Sequence, residues 1–231
     1  MLNVYFQALA KLGAKFTEKP LECTHLIAVA FGRTEKLLSS IAVAPFILRE
    51  EWLTKSAAKG RFLRKSSVPL RVHVRFSTRP PPAEKDYSLE DRETEAKYAF
   101  KMTRTLSRAK KSGGKLLEGK TFYLTQKVDV DKKLMKNVVA AHGGTVRAPR
   151  RFSAPSTHLG PNLQLMLQTP TYRMVTSKPD RYVISCEDDG SIWRAIAENG
   201  VPIYTKELIL TGILKQEIAW GDQDFMVPGS H

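Results

Sequence analysis

The sequence predicts an α/β protein made of two repeats of one unit, each a small parallel four-stranded sheet flanked by helices, packed in tandem through a connecting helix. Three observations predict it. Short apolar runs of strand length alternate with capped amphipathic segments in the first half, the same order returns in the second half, and a long capped helical stretch lies between Pro80-Pro81-Pro82 and Ser112-Gly113-Gly114.

In the first half, Phe16 ends a candidate strand after Leu12-Gly13, and His25 to Ala30 is an apolar run of buried-strand length. Thr34 can cap a helix that buries Leu37, Leu38 and Ile41. Pro45 to Leu48 gives another strand, and Glu50-Glu51-Trp52-Leu53 opens a helix with its acids at the positive end of the dipole. The three prolines end this unit, because consecutive prolines continue neither a helix nor a central strand. From about Ser88 to Lys111 the spacing predicts one connecting helix, with Ser88 and Asp91 forming a capping box and Ala99, Met102, Leu106 and Ala109 as its apolar stripe.

In the second half, Thr121 to Thr125 is a strand and Asp131 caps a helix with Leu134, Val138 and Ala141 inward. His142 to Val146 turns into a second strand and Tyr182 to Ser185 is a third. A helix from Asp189 or Ser191 carries Trp193 and Ile196, Pro202 to Tyr204 is a fourth strand, and Thr205 caps a last helix with Leu208, Ile209 and Leu214. The organisation expected is a first repeat over 1–80, a proline-rich turn and connecting helix over 81–116, and a second repeat over 117–231. A proline-bearing insertion at 147–181 is longer than an ordinary connection.

The 231 residues suffice for two domains of about a hundred residues, each with its own core. With 42% hydrophobic and 26% charged residues the composition is that of a soluble globular protein, no stretch approaches the roughly 20 apolar residues of a membrane span, and Met1 to Phe6 has no secretory-signal pattern. A net charge of +14 predicts an acidic partner, phosphorylated protein or nucleic acid. It is spread along the chain, since residues 1–80 hold fourteen Lys or Arg against five Asp or Glu. Cys23-Thr24-His25 lacks a second ligand pair for zinc, and Cys186 precedes three acids that disfavour a thiolate. Neither a Walker pattern nor a dinucleotide fingerprint occurs, and no nucleophile, base and oxyanion donors assemble. No catalytic or metal residue is assigned, no cofactor is expected, and the chain is expected not to be an enzyme. The basic clusters Arg61, Arg64, Lys65 and Arg147, Arg150, Arg151 suit at most weak, nonspecific, salt-sensitive DNA contact through the backbone.

Leu12-Gly13-Ala14 faces Gly143-Gly144-Thr145 as two copies of one unit. Cys23 to Ile27, Arg33 to Leu38, Pro45 to Leu48 and Glu51-Trp52-Leu53 resemble a BRCT repeat in order and spacing, and Tyr182 to Cys186 with Tyr204 to Gly212 form a looser second copy. With the connecting helix, the whole is similar to the carboxy-terminal BRCT pair of fungal genome-maintenance scaffolds. The resemblance implies a reader, in the nucleus on chromatin, of a phosphorylated protein tail such as the damage-phosphorylated tail of histone 2A. Thr34 and Lys36 would hold the phosphate and Arg33 the peptide carboxylate, for which a guanidinium fork is suited. The Ser-Gly or Thr-Gly pair expected at the end of the first strand is absent. If Met1 to Phe6 forms that strand, Gln7 stands where the hydroxyl belongs. Two other readings stand beside this one, a basic module on DNA backbone and a phospho-independent interaction scaffold.

Overall fold

The computed structural model describes residues 2–63, 84–147, 175 and 179–230. The insertion expected at 147–181 and the basic residues Arg64, Lys65, Arg150 and Arg151 lie largely or wholly outside them.

The first repeat runs α1 (Leu2–Lys11), β1 (His25–Ala28), α2 (Glu35–Ser40), β2 (Phe46–Arg49) and α3 (Glu50–Ala58). β1 and β2 pair in parallel with His25 opposite Phe46. The strand envisaged for Met1 to Phe6 is replaced by helix, and Gln7 lies in the middle of α1. The physical reason is the spacing of Tyr5, Leu9 and Leu12, which puts apolar residues on one helical face; Leu9 is buried in a cluster with Trp52 and Leu53. Thr34 caps α2 as expected, its hydroxyl oxygen accepting the Leu37 N–H at 3.2 Å.

The connecting segment is two helices, not one. α4 (Arg92–Lys97) is capped by Asp91, which accepts the Thr94 N–H at 3.0 Å, and α5 spans Met102–Lys111. Ser88 is no cap: it bridges Leu48 as a short antiparallel extension of the first sheet. Between the helices Ala99 takes a left-handed φ of 49°, and Phe100 turns into the core against Phe31. The buried Glu95 carboxylate then caps α5, accepting the Met102 N–H at 3.0 Å and pairing with Lys101 at 2.7 Å.

The second repeat follows as β3 (Thr121–Leu124), α6 (Lys132–Ala141), β4 (Thr145–Arg147), β5 (Arg181–Ile184), α7 (Gly190–Ala197), β6 (Ile203–Tyr204) and α8 (Lys206–Lys215). Its sheet is parallel throughout in the order β4-β3-β5-β6. Asp131 caps α6 by accepting from Lys133 and Leu134 N–H. The inward face of α6 is Met135, Val138 and Val139, rotated from the expected stripe, with Leu134 only half-buried. Thr205 stands at the start of α8 but donates its hydroxyl to the Phe225 carbonyl and does not cap.

One core joins the repeats. Leu37, Leu38 and Ile41 of α2 share it with Val138 and Val139 of α6 and Ile209 and Ile213 of α8. Polar ties run along the seam. His142 is fully buried and its Nε2–H donates to the Leu38 carbonyl at 3.1 Å; burial pushes its pKa below the ordinary value, outweighing backbone hydrogen bonds at Leu38 and Gly114 that favour the cation. Gly114, at φ 75°, sits so close to the first repeat that a Cβ there would lie 2.2 Å from the Ala42 carbonyl oxygen. From α5, Thr105 donates to the Leu214 carbonyl and Arg108 to that of Lys215 at 2.8 Å, satisfying the carboxyl end of α8.

Candidate functional site

The loop from β1 into α2 brings Arg33 to the seam between repeats, where it meets Glu207, and sets Thr34 and Lys36 at the start of α2, with Lys36 on a groove lined by first-repeat residues. Thr34 is exposed. Its oxygen is taken up as acceptor by the α2 cap, which leaves the hydroxyl proton to donate outward. Lys36, two residues on, is exposed, and among the described residues no carboxylate pairs with it. A donor hydroxyl and an ammonium so placed suit an anion with several acceptor oxygens.

Arg33 reaches across the seam. Its two terminal nitrogens donate to the two carboxylate oxygens of Glu207 at the start of α8, at 2.5 and 3.2 Å, and its guanidinium lies 4.5 Å from the Tyr98 ring centroid. Glu207 also accepts from the Thr211 hydroxyl at 3.2 Å. The fork is thus oriented by the second repeat and stacked on the connecting segment, while a guanidinium's five donors exceed the two that Glu207 engages. Beside it Asn137 of α6 donates to Glu35 at 2.8 Å, a second polar link across the same seam. Neither Glu207 nor Asn137 was singled out from sequence; they lie 174 and 102 residues from their partners, and only the tertiary packing joins them.

The matching end of the second repeat is closed by the chain itself. At the end of β3, Thr125 hydrogen-bonds Ser185 at 2.8 Å, and the buried Asp189 carboxylate accepts the Lys127 N–H at 2.8 Å. Lys127 Nζ is turned onto the Asp188 carbonyl at 2.9 Å. A phosphate brought there would meet the buried Asp189 carboxylate, which disfavours an anion at this end of the second repeat.

Cys23 and Cys186 are free and half-buried, and no cluster of three metal-ligating side chains occurs among the described residues. Cys23 Sγ donates to the Pro20 carbonyl, and His25 stacks between Phe46 and Trp52 at 4.9 and 5.2 Å. Of the basic clusters, Arg61 and Arg147 are exposed. Among the described residues no helix is long and apolar enough to cross a membrane.

Comparison with known proteins agrees with this fold. The BRCT domain family matches residues 115–221, and the Regulator of Ty1 transposition protein 107 BRCT domain family matches residues 3–70. PAX-interacting protein 1 of Bos taurus is 27% identical over 221 residues, covering 96% of this chain and 19% of that protein. Mediator of DNA damage checkpoint protein 1 of Homo sapiens is 28% identical over 211 residues, covering 91% and 8%. The chain therefore spans a fifth or less of these relatives. Among solved structures, the S. pombe Brc1 BRCT5-BRCT6 domains superpose with a TM-score of 0.71 at 23% identity, over 96% of this chain and 91% of that one. The complex of Rtt107p with a phosphorylated histone 2A superposes at 0.53 with 13% identity, over 96% and 84%. At these identities the structural likeness concerns the fold.

Proposed function

The chain belongs to the BRCT family as a tandem pair, a fold of protein-interaction modules, and on that premise we propose that it binds a phosphoserine peptide near a protein carboxyl terminus. The phosphate meets the Thr34 hydroxyl and Lys36, and Arg33 takes the terminal carboxylate with the donors that Glu207 leaves open. The observation that carries this reading is the Arg33–Glu207 pair. It holds a guanidinium fork three residues from an exposed lysine, at a fixed junction of the two repeats.

Two charge-assisted contacts from one short loop would read two anionic groups a few residues apart, which an extended phosphopeptide tail presents. The similar fold of Rtt107p in complex with a phosphorylated histone 2A supports such a tail as the ligand class. The likeness to Mediator of DNA damage checkpoint protein 1 supports a place in the DNA damage response, and on this reading the chain acts on chromatin in the nucleus. The strong positive charge assists encounter with either an acidic tail or DNA.

The test is fluorescence anisotropy of a labelled peptide ending in Ser-Gln-Glu-Leu, with and without phosphate on the serine, at two salt concentrations, for the chain and for Lys36→Met. Phospho-dependent binding that persists at higher salt and is lost in Lys36→Met is expected. Equal, weak, salt-sensitive binding of both peptides would assign the charge to nonspecific anion contact instead.

A further inference from the structure

Basic residues occur throughout the chain, but residues 97–115 hold seven Lys or Arg and no Asp or Glu, half of the net charge of +14. They make up α5 and its flanks. Three of the seven are paired, Lys101 with Glu95, Arg108 with Glu217 and Lys115 with Glu118, so each nearby carboxylate is engaged by its own cation. Arg104, Lys110 and Lys111 are exposed, and among the described residues no carboxylate pairs with them.

The helical turn places Thr103, Arg104, Ser107, Lys110 and Lys111 on one outward arc of about 120°, and all five are exposed. Met102, Thr105 and Ala109 on the opposite side are buried. The face is fixed in place, because Thr105 and Arg108 donate to the Leu214 and Lys215 carbonyls at the end of α8. α6 offers a contrast: Lys132, Lys133 and Lys136 are exposed too, but Asp131 and the exposed Asp129 stand at its start.

The composition of the arc decides its partner. It carries no apolar or aromatic side chain, and Leu106 at its edge packs against the shared core. A protein interface is built around an apolar, aromatic-rich centre, a helix lying on a membrane inserts an apolar face, and single-stranded nucleic acid is held by stacking on aromatic rings. Arg, Lys, Ser and Thr are instead the side chains that meet phosphate oxygens along a duplex. From Arg104 to Lys111 the helix rises about 10 Å, a length over which duplex DNA presents roughly six phosphates.

We propose that the outward face of α5 is a contact surface for duplex DNA, on which Arg104, Lys110 and Lys111 meet backbone phosphates and the Thr103 and Ser107 hydroxyls donate to their oxygens. Its contacts are to the backbone, so it binds without regard to base sequence. The surface goes beyond the phosphopeptide reading and shares no residue with it: Arg33 meets α8 at its start, at Glu207, and α5 meets α8 at its end.

The test is fluorescence anisotropy of a labelled DNA duplex of about 20 base pairs and arbitrary sequence, titrated with the native chain over a series of salt concentrations. Two triple variants are compared with it, Arg104→Gln with Lys110→Gln and Lys111→Gln on α5, and Lys132→Gln with Lys133→Gln and Lys136→Gln on α6, which remove equal charge. The α5 variant should bind roughly tenfold or more weakly at low salt, with the slope of log affinity against log salt reduced by about 2–3, while the α6 variant loses under about threefold. Unchanged melting temperatures are expected for both, since all six side chains are exposed. Equal losses in the two variants would assign the binding to overall charge and overturn the proposal, as would the absence of saturable binding by the native chain. Displacement of the duplex by a polyglutamate peptide of equal charge and concentration would assign the face to acidic protein and overturn it as well, whatever the phosphoserine peptide does.

Discussion

Replacing Gly114 by Ala tests whether the two repeats are held as one rigid pair, and its neighbour supplies the control. Gly113 and Gly114 both have positive φ, 61° and 75°, so alanine at either incurs about 1–2 kcal/mol of left-handed strain. At Gly113 a Cβ meets nothing within 4 Å, whereas at Gly114 it would lie 2.2 Å from the Ala42 carbonyl oxygen and 2.9 Å from its carbon. Those are backbone atoms of the first repeat and cannot rotate away, so Gly114→Ala carries a further overpacking cost of about 1–3 kcal/mol. For a chain of this size the difference corresponds to a melting temperature roughly 2–12 °C lower for Gly114→Ala than for Gly113→Ala. Thermal unfolding followed by circular dichroism at fixed pH and concentration reads it. Equal melting temperatures for the two variants would show that the close approach of the connecting segment to Ala42 does not exist in solution.

Four further outcomes follow from named contacts. Because burial lowers the folded-state pKa of His142, the unfolded chain takes up a proton as pH falls below about 6.5 while the folded chain resists; stability is complete above that value and declines below it. Urea midpoints at pH 7.5 and 5.5 should therefore differ more for the native chain than for His142→Gln. Asp131→Ala removes the acceptor for two N–H groups at the start of α6 and should cost about 1 kcal/mol in urea unfolding. Glu95→Ala uncaps α5, leaving the buried Met102 N–H without its acceptor, and should cost about 1–3 kcal/mol by the same assay. Glu207→Gln keeps the shape but not the charge that orients Arg33, and should weaken phosphopeptide binding by about 1–2 kcal/mol, roughly 5–30-fold by anisotropy, with little change in the urea midpoint.

What was legible in the sequence was local. Thr34 and Asp131 announce their helices because a hydroxyl or carboxylate two or three residues before an apolar face has one favourable use, and both cap as expected. His25 to Ala28, Thr121 to Leu124 and Arg181 to Ile184 are strands because short apolar runs between turn residues have few other homes. The fold class and the tandem arrangement followed from their order. α1 is legible as well, since Tyr5, Leu9 and Leu12 recur at helical spacing.

The break at Ala99 had no local signal. An apolar stripe continued through it, and the turn is set by Phe100 entering the core and by Glu95 reaching forward to cap the next helix. The rotated face of α6 has the same origin: Met135 and Val139 face α2 of the other repeat, which no window along α6 reports. Arg33 could be picked out by its residue type, but its orientation by Glu207 is a property of the assembled pair.

The most direct test of the central claim is the affinity of the native chain for four versions of one tail peptide, with serine or phosphoserine, each ending in a free carboxylate or an amide. Tightest binding of the phosphorylated free acid is predicted, with a loss of roughly tenfold or more on removing either charge and a smaller loss from amidation in Arg33→Gln. Affinity indifferent to both the phosphate and the terminal carboxylate would contradict it.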